Sequence, residues 1–197
     1  AVGRHALYTN ETGSSNVAIG YNALNLNTAS HNLAIGYAAG DAIAGGNYNI
    51  AIGNDALGGT TSGVFNLALG YQAMQTNVDG DQSTAIGHYA LYTQEPASNV
   101  DMHNVAVGYN AMYGLTTGIK NVAVGSYSLD ATCTGNYNTA VGHSSLSANT
   151  GGANNTAIGY QSLILNEGGD DNTALGYNAL MTNAGGDDNV AVGSALR

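Results

Sequence analysis

The residues able to do chemistry are few and scattered. Five histidines (His5, His31, His88, His103 and His143), one cysteine and 13 acidic side chains make up the reactive inventory of this 197-residue chain. Acid–base and nucleophilic catalysis need such groups in positioned pairs or triads, and no nucleophile elbow, P-loop, H-E-x-x-H or Cys/His cluster is present. The chain therefore reads as a non-enzyme. Cys133 has no partner for an intrachain disulfide and reads either as a small buried hydrophobe or as an interchain contact. The acids gather in two turns, Gly168-Gly169-Asp170-Asp171 and Gly185-Gly186-Asp187-Asp188. Asp170, Asp171, Asp187 and Asp188 are weak candidates for oxygen ligation of Ca²⁺, set against a reading as solvated turn carboxylates. No other cofactor is implied. A second group, Tyr89, Tyr92, Gln94, Glu95 and Asn99, surrounds the only proline, Pro96. Its phenol rings suit stacking on sugar rings, and its amides suit hydrogen bonding to sugar hydroxyls, so it is the candidate ligand contact. The alternative is a neutral surface loop.

What must position these residues is a repeat. Ala-[Ile/Val/Leu]-Gly occurs twelve times, ending at Gly3, Gly20, Gly36, Gly53, Gly70, Gly87, Gly108, Gly125, Gly142, Gly159, Gly176 and Gly193. Nine of the eleven intervals are 17 residues, one is 16 and one is 21. Four residues ahead of the Gly stands Asn in ten of eleven units, with Ser83 as the exception. Tyr follows the Gly in six units, with His88 and His143 in the same slot, and a second Gly stands seven ahead in nine. The anchors Asn16, Ala18, Gly20, Asn66, Gly70, Asn121, Gly125, Asn155 and Gly159 typify the unit.

Asn-Val-Ala-Ile-Gly-Tyr alternates, so Val17, Ile19 and Tyr21 share one side of a strand, and Asn16, Ala18 and Gly20 the other. The large apolar side is expected to build the core. The small Ala/Gly side is expected to lie open for another layer or subunit to approach closely. The second Gly reads as a turn at positive φ. Tyr-x-Ala-Leu reads as a second short strand, with one helical turn as the alternative. The 21-residue interval carries an insertion loop near 92–99 that bulges from one face. The 16-residue interval, with Gly40 in place of Leu, reads as a local repacking.

A 17-residue unit cannot bury a core alone and must stack on its neighbours. The chain is thus expected to be all-β: a parallel β-solenoid (β-roll or β-helix) of about 11 seventeen-residue rungs over 1–197, roughly 53 Å long at the inter-strand spacing. Aligned Asn side chains can hydrogen-bond along a column, while like charges in register would repel. That explains 25 Asn beside only 16 charged residues. A symmetric homotrimer is expected to bury the Ala/Gly face.

Charge bounds the partners. A net charge of −10, with only Arg4, Lys120 and Arg197 basic, leaves nothing to neutralise a phosphate backbone or an anionic membrane. No apolar stretch is long enough for a membrane span. Known solenoid chemistries fit poorly. Hexapeptide acyltransferases need an aliphatic residue every six positions, but stepping from Ile19 reaches Asn25 and His31. The Ca²⁺-binding nonapeptide roll has a different period. Ice binding needs an ordered array, usually of Thr, and the best column holds only Thr84, Thr139, Thr156 and Thr173.

Units such as Asn155-Thr156-Ala157-Ile158-Gly159-Tyr160-Gln161-Ser162-Leu163 and Asn104-Val105-Ala106-Val107-Gly108-Tyr109-Asn110-Ala111-Met112 resemble the repeats of bacteriophage-type trimeric tail fibres and related bacterial surface fibres. The Asn-x-Ala-Ile-Gly kernel is also similar to the left-handed β-roll head of trimeric autotransporter adhesins of the Yersinia type, whose period is shorter. The resemblance spans essentially the whole chain. It implies an extracellular homotrimeric fibre on a virion or cell, attaching to a surface receptor or glycan, of which this chain is one stretch. An ice-binding solenoid and a purely structural spacer shaft are the alternatives.

Overall fold

The computed structural model describes residues 1–96, 98 and 100–195, which form a parallel β-solenoid with 13 short strands and no helix. The strands are β1 (Val17–Ile19), β2 (Leu33–Ile35), β3 (Ile50–Ile52), β4 (Leu67–Leu69), β5 (Gly80–Asp81), β6 (Thr84–Ile86), β7 (Val100–Asp101), β8 (Val105–Val107), β9 (Val122–Val124), β10 (Thr139–Val141), β11 (Thr156–Ile158), β12 (Thr173–Leu175) and β13 (Val190–Val192). Eleven of them stack in chain order as one parallel sheet, and β5 pairs with β7 beside the insertion. Register is fixed by the repeat: Ala18 lies on Ala34, Ala34 on Ala51, and so on to Ala174 on Ala191.

The two sides of these strands are inverted relative to the expectation from pattern. The alanine column points inward and is buried, Ala18 through Ala174, whereas Val17 and Ile19 are 47% and 42% exposed. The opposite wall explains why. Leu24, Leu57, Met74, Leu91, Met112, Leu129, Leu146 and Leu163 project into the interior and are fully buried. In so narrow a rung they leave room for only a methyl group from the strand. The Ala side is therefore core and the branched aliphatic side is surface.

That opposite wall is not a strand. Tyr-x-Ala-Leu folds as successive turns, with the Ala23 N–H donating to Gly20 O at 3.5 Å, Asn25 to Asn22 O at 3.2 Å and Asn27 to Leu24 O at 3.2 Å. Asn22 and Leu24 sit at φ 57° and 50°, the positive-φ third position of type II turns. Burial of the Leu offsets the cost of placing it in a left-handed conformation, about 1–2 kcal/mol. Between these turns the backbone also reaches neighbouring rungs, as in Leu24 N–H to Ala39 O at 3.0 Å.

The second Gly is not at positive φ. In Gly46, Gly63, Gly118, Gly135, Gly152 and Gly169 a Cβ would collide with a glycine carbonyl of the next rung, so close backbone approach excludes a side chain. Those carbonyls accept from the Asn column. Asn121 Nδ2 donates to Gly135 O at 2.9 Å, and Asn121 Oδ1 accepts the Asn138 N–H at 2.9 Å. The Asn side chain donates through Nδ2 and accepts through Oδ1 on two separate atoms, so it meets both neighbours at once, which explains why Asn fills this slot. The anchor Gly is the true positive-φ glycine, at 137° in Gly20, and its missing Cβ makes room for the Gly36 carbonyl. Gly40 falls in the 17-residue interval that follows the short one; it vacates the leucine position, and Ile43, fully buried, fills the space.

Candidate functional site

The insertion does not gather all of its candidate residues at the surface. Tyr89 and Tyr92 are half-buried, Glu95 is exposed, and Asn99 lies outside the described residues, as does Ala97. Gln94 is fully buried and belongs to the core instead of the ligand group. Its Nε2 donates to Asn77 Oδ1 at 3.0 Å, and its Oε1 accepts from Ser83 Oγ at 3.2 Å and Asn104 Nδ2 at 3.0 Å. Ser83 is the one break in the Asn column: its Oγ still accepts the Asn104 N–H, at 3.3 Å, and Gln94 reaches in from the facing turn to engage Ser83 Oγ and Asn104 Nδ2.

Tyr89 and Tyr92 instead join a ladder of rings on one edge of the solenoid. The Tyr89 ring centroid lies 5.3 Å from Tyr71, 5.9 Å from Tyr92, and 6.2 Å from both Tyr109 and Tyr113, all edge-to-face, while Tyr92 stacks on Tyr113 at 5.0 Å. The ladder runs on through Tyr127, His143, Tyr160 and Tyr177 at spacings of 5.4, 5.8, 5.4 and 5.4 Å. The repeat permits it, because the residues one and two after the anchor Gly recur at the same height on every rung. The Tyr89 and Tyr127 hydroxyls titrate above the ordinary phenol range, chiefly from desolvation by neighbouring rings and next from the adjoining phenols Tyr71 and Tyr109. A shorter aromatic column, His31–Tyr48–Phe65, stacks at 4.8 and 5.0 Å one residue ahead of the Asn slot.

The second surface feature is the outer face of the long sheet. Val17, Ile19, Ile35, Ile50, Leu69, Val124, Ile158, Val190 and Val192 are all exposed there. One of its two columns, Ile19 to Val192, is aliphatic at every rung. Eleven strands make this strip about 48 Å long, with its two columns about 7 Å apart. The sequence carried the signal for it in the Val-Ala-Ile alternation, but pattern alone does not say which side is inside.

The remaining reactive groups stay apart. Asp170 Oδ1 accepts the Ala153 N–H at 2.7 Å and Asp187 Oδ1 the Asp170 N–H at 2.8 Å, tying neighbouring rungs together, while Asp171 and Asp188 are exposed. Among the described residues no three His, Cys, Asp or Glu side chains are grouped as a metal site would group them. Cys133 is buried, which raises its thiol pKa, and its Sγ accepts from Asn149 Nδ2 at 3.6 Å. His103 lies 4.0 Å from Asp101 at the surface. Burial also lifts the carboxyls of Asp41, Asp81 and Asp130 above the usual range. The described surface has no pocket, so a ligand would have to lie on it. No protein-family model, curated protein or solved structure matches the chain.

Proposed function

We propose that the chain is a stretch of an extracellular homotrimeric attachment fibre, carried on a virion or cell surface, that binds a surface receptor or glycan. The observation behind this reading is the outer sheet face. A continuous strip of branched aliphatic side chains some 48 Å long and about 7 Å across, on the order of 300 Å², is of the size at which an exposed apolar patch is often functional. Two further copies related by a three-fold axis would cover it. The interface thus moves from the Ala/Gly side, which is core, to the Val/Ile/Leu side. The aromatic edge and the insertion would remain outside to meet the target surface. Neither catalysis nor a cofactor is part of this function, and the low count of basic residues disfavours nucleic acid and anionic lipid. Binding of the labelled trimer to whole cells and to a glycan array tests attachment. Blank results on both would reduce the protein to a spacer shaft.

One observation favours a second reading, ice binding. Thr139, Thr156 and Thr173 stand in register on the outer face of the sheet, beside Val141, Ile158 and Leu175. They form a short ordered array that a free face would present to water. Thermal hysteresis supports this reading, and freezing-point depression no greater than the solute concentration dictates dismisses it.

A further inference from the structure

We propose that the aromatic edge is a docking strip for an uncharged saccharide chain laid along the solenoid axis, centred on Tyr89. This deepens, and rests on, the reading of the chain as an attachment fibre. The fold itself does not ask for a ring at this edge. Asn54 and Ser126 occupy the slot after the anchor Gly without interrupting the sheet.

Ring continuity is nevertheless kept from Tyr71 to Tyr177. Where Ser126 replaces the tyrosine, the next residue, Tyr127, supplies the ring. Where His88 replaces it, Tyr89 adds a second. Both of these tyrosines sit at φ 57°, a conformation uncommon for bulky side chains. The slot has a positive φ on every rung, from 50° at Ala38 to 59° at His5, and elsewhere holds mostly small or polar residues such as Asn22, Ala38, Gln72, Asn110 and Ser144. A bulky ring kept at a left-handed position where the fold accepts smaller residues points to use of the side chain.

Geometry and charge then choose the ligand. Edge-to-face contacts at interplanar angles of 85° around Tyr89 cannot cover the faces of both partners, whereas the stacked rings of Tyr160 and Tyr177, at 8°, do so. A sugar can lay its C–H face on the uncovered rings, and Gln72, in the Tyr89 slot one rung away, offers an amide to its hydroxyls, whereas Asn110 Oδ1 is buried. Neither slot of the strip carries Lys, Arg, Asp or Glu between Tyr71 and Tyr127. An overall charge of −10 repels acidic glycans, which leaves neutral ones.

Affinity gels containing dextran, mannan, galactomannan or hydroxyethylcellulose, with alginate and heparin as anionic counterparts, test the strip. Tyr89→Asn/Tyr109→Asn places residues native to those slots, Asn110 and Asn54, and the single variant Tyr127→Asn serves should the pair not fold. Tyr137→Ser, in a different column where Ser15 is native, is the control. At least one neutral polymer is expected to retard the protein, with binding at least tenfold weaker in the ladder variants, unchanged in the control, and with circular dichroism preserved throughout. Equal retardation of the ladder variants, or retardation by anionic polymers alone, overturns the strip but leaves attachment standing. Binding to cells without binding to any neutral polymer does the same. No binding to any polymer or to cells removes both.

Discussion

Gln94 and Ser83 offer the most exact test of how the rungs hold together. Replacing Gln94 by Ala deletes three hydrogen bonds in a fully buried site, at 3.0, 3.2 and 3.0 Å. At about 1 kcal/mol net for each bond, together with a term for the void left behind, the loss is about 3–5 kcal/mol. Ser83→Asn alone forces a longer side chain against Gln94 and should cost about 1–3 kcal/mol by overpacking. Combined as Ser83→Asn/Gln94→Asn, the two recreate the arrangement of Asn155 with Asn166 and of Asn172 with Asn183, slots native to this solenoid. With Gln94→Asn as the second single variant of the cycle, the double variant should fall within about 1 kcal/mol of the parent, a coupling of about 2 kcal/mol or more, in the range seen for residues that share a network. Urea unfolding followed by circular dichroism gives the global values. Because stacked repeats can open locally, hydrogen exchange at the Asn104 and Gly80 amides reads the same effect on the spot. A Gln94→Ala variant within about 0.5 kcal/mol of the parent, or strictly additive changes, would refute the proposed repair of the Asn column.

Other expectations follow from the same geometry. Gly70→Ala drives a Cβ into the Gly87 carbonyl at a φ of 141° and should cost about 3 kcal/mol or more; a melting point unchanged within error would contradict the tight stacking. Asp41, Asp81 and Asp130 hold their protons more firmly in the folded chain than the ordinary value of 3.8. Their stabilising contribution is therefore complete below that value and is lost as pH rises through the raised folded values. Asp41→Asn and Asp130→Asn should raise the melting temperature at pH 7 but not at pH 3.5, and equal effects at both would count against burial as the cause. Chelation by EDTA should leave the melting curve where it is, since Asp170 and Asp187 engage backbone amides, and a fall reversed by Ca²⁺ would show that the carboxylates hold a metal ion. Val124→Lys and Ile158→Lys, on the exposed face, should dissociate the assembly without loss of circular dichroism; retention of the assembled mass would place the interface elsewhere.

Much of the fold was legible because the repeat is so strict. The interval of 17 residues sets the rung, and an Asn recurring at one height predicts the hydrogen-bonded column found from Asn32 to Asn172. Inside and outside were not legible. Val-Ala-Ile alternation says that two faces differ, but only the Leu24 wall, folded as turns, decides that Ala is the residue that fits within. Those turns were themselves hidden, because Leu24 and Met74 at positive φ violate local preference and hold their place through burial. The two kinds of glycine were not distinguished for a related reason: spacing marks both, and only the packed rungs show that the anchor Gly needs positive φ and close approach together, the second Gly close approach alone. At the candidate site, Tyr89 and Tyr92 did reach the surface ladder. Gln94 looked like a loop residue because its partners, Asn77 and Asn104, lie on neighbouring rungs.

Assembly through the outer sheet face is the point on which the functional reading turns, and light scattering on the folded chain measures it directly. A molar mass three times that of the chain, falling to one third in Ile158→Lys with the circular dichroism retained, is the predicted result. A folded chain that scatters as a single copy at all accessible concentrations would contradict it.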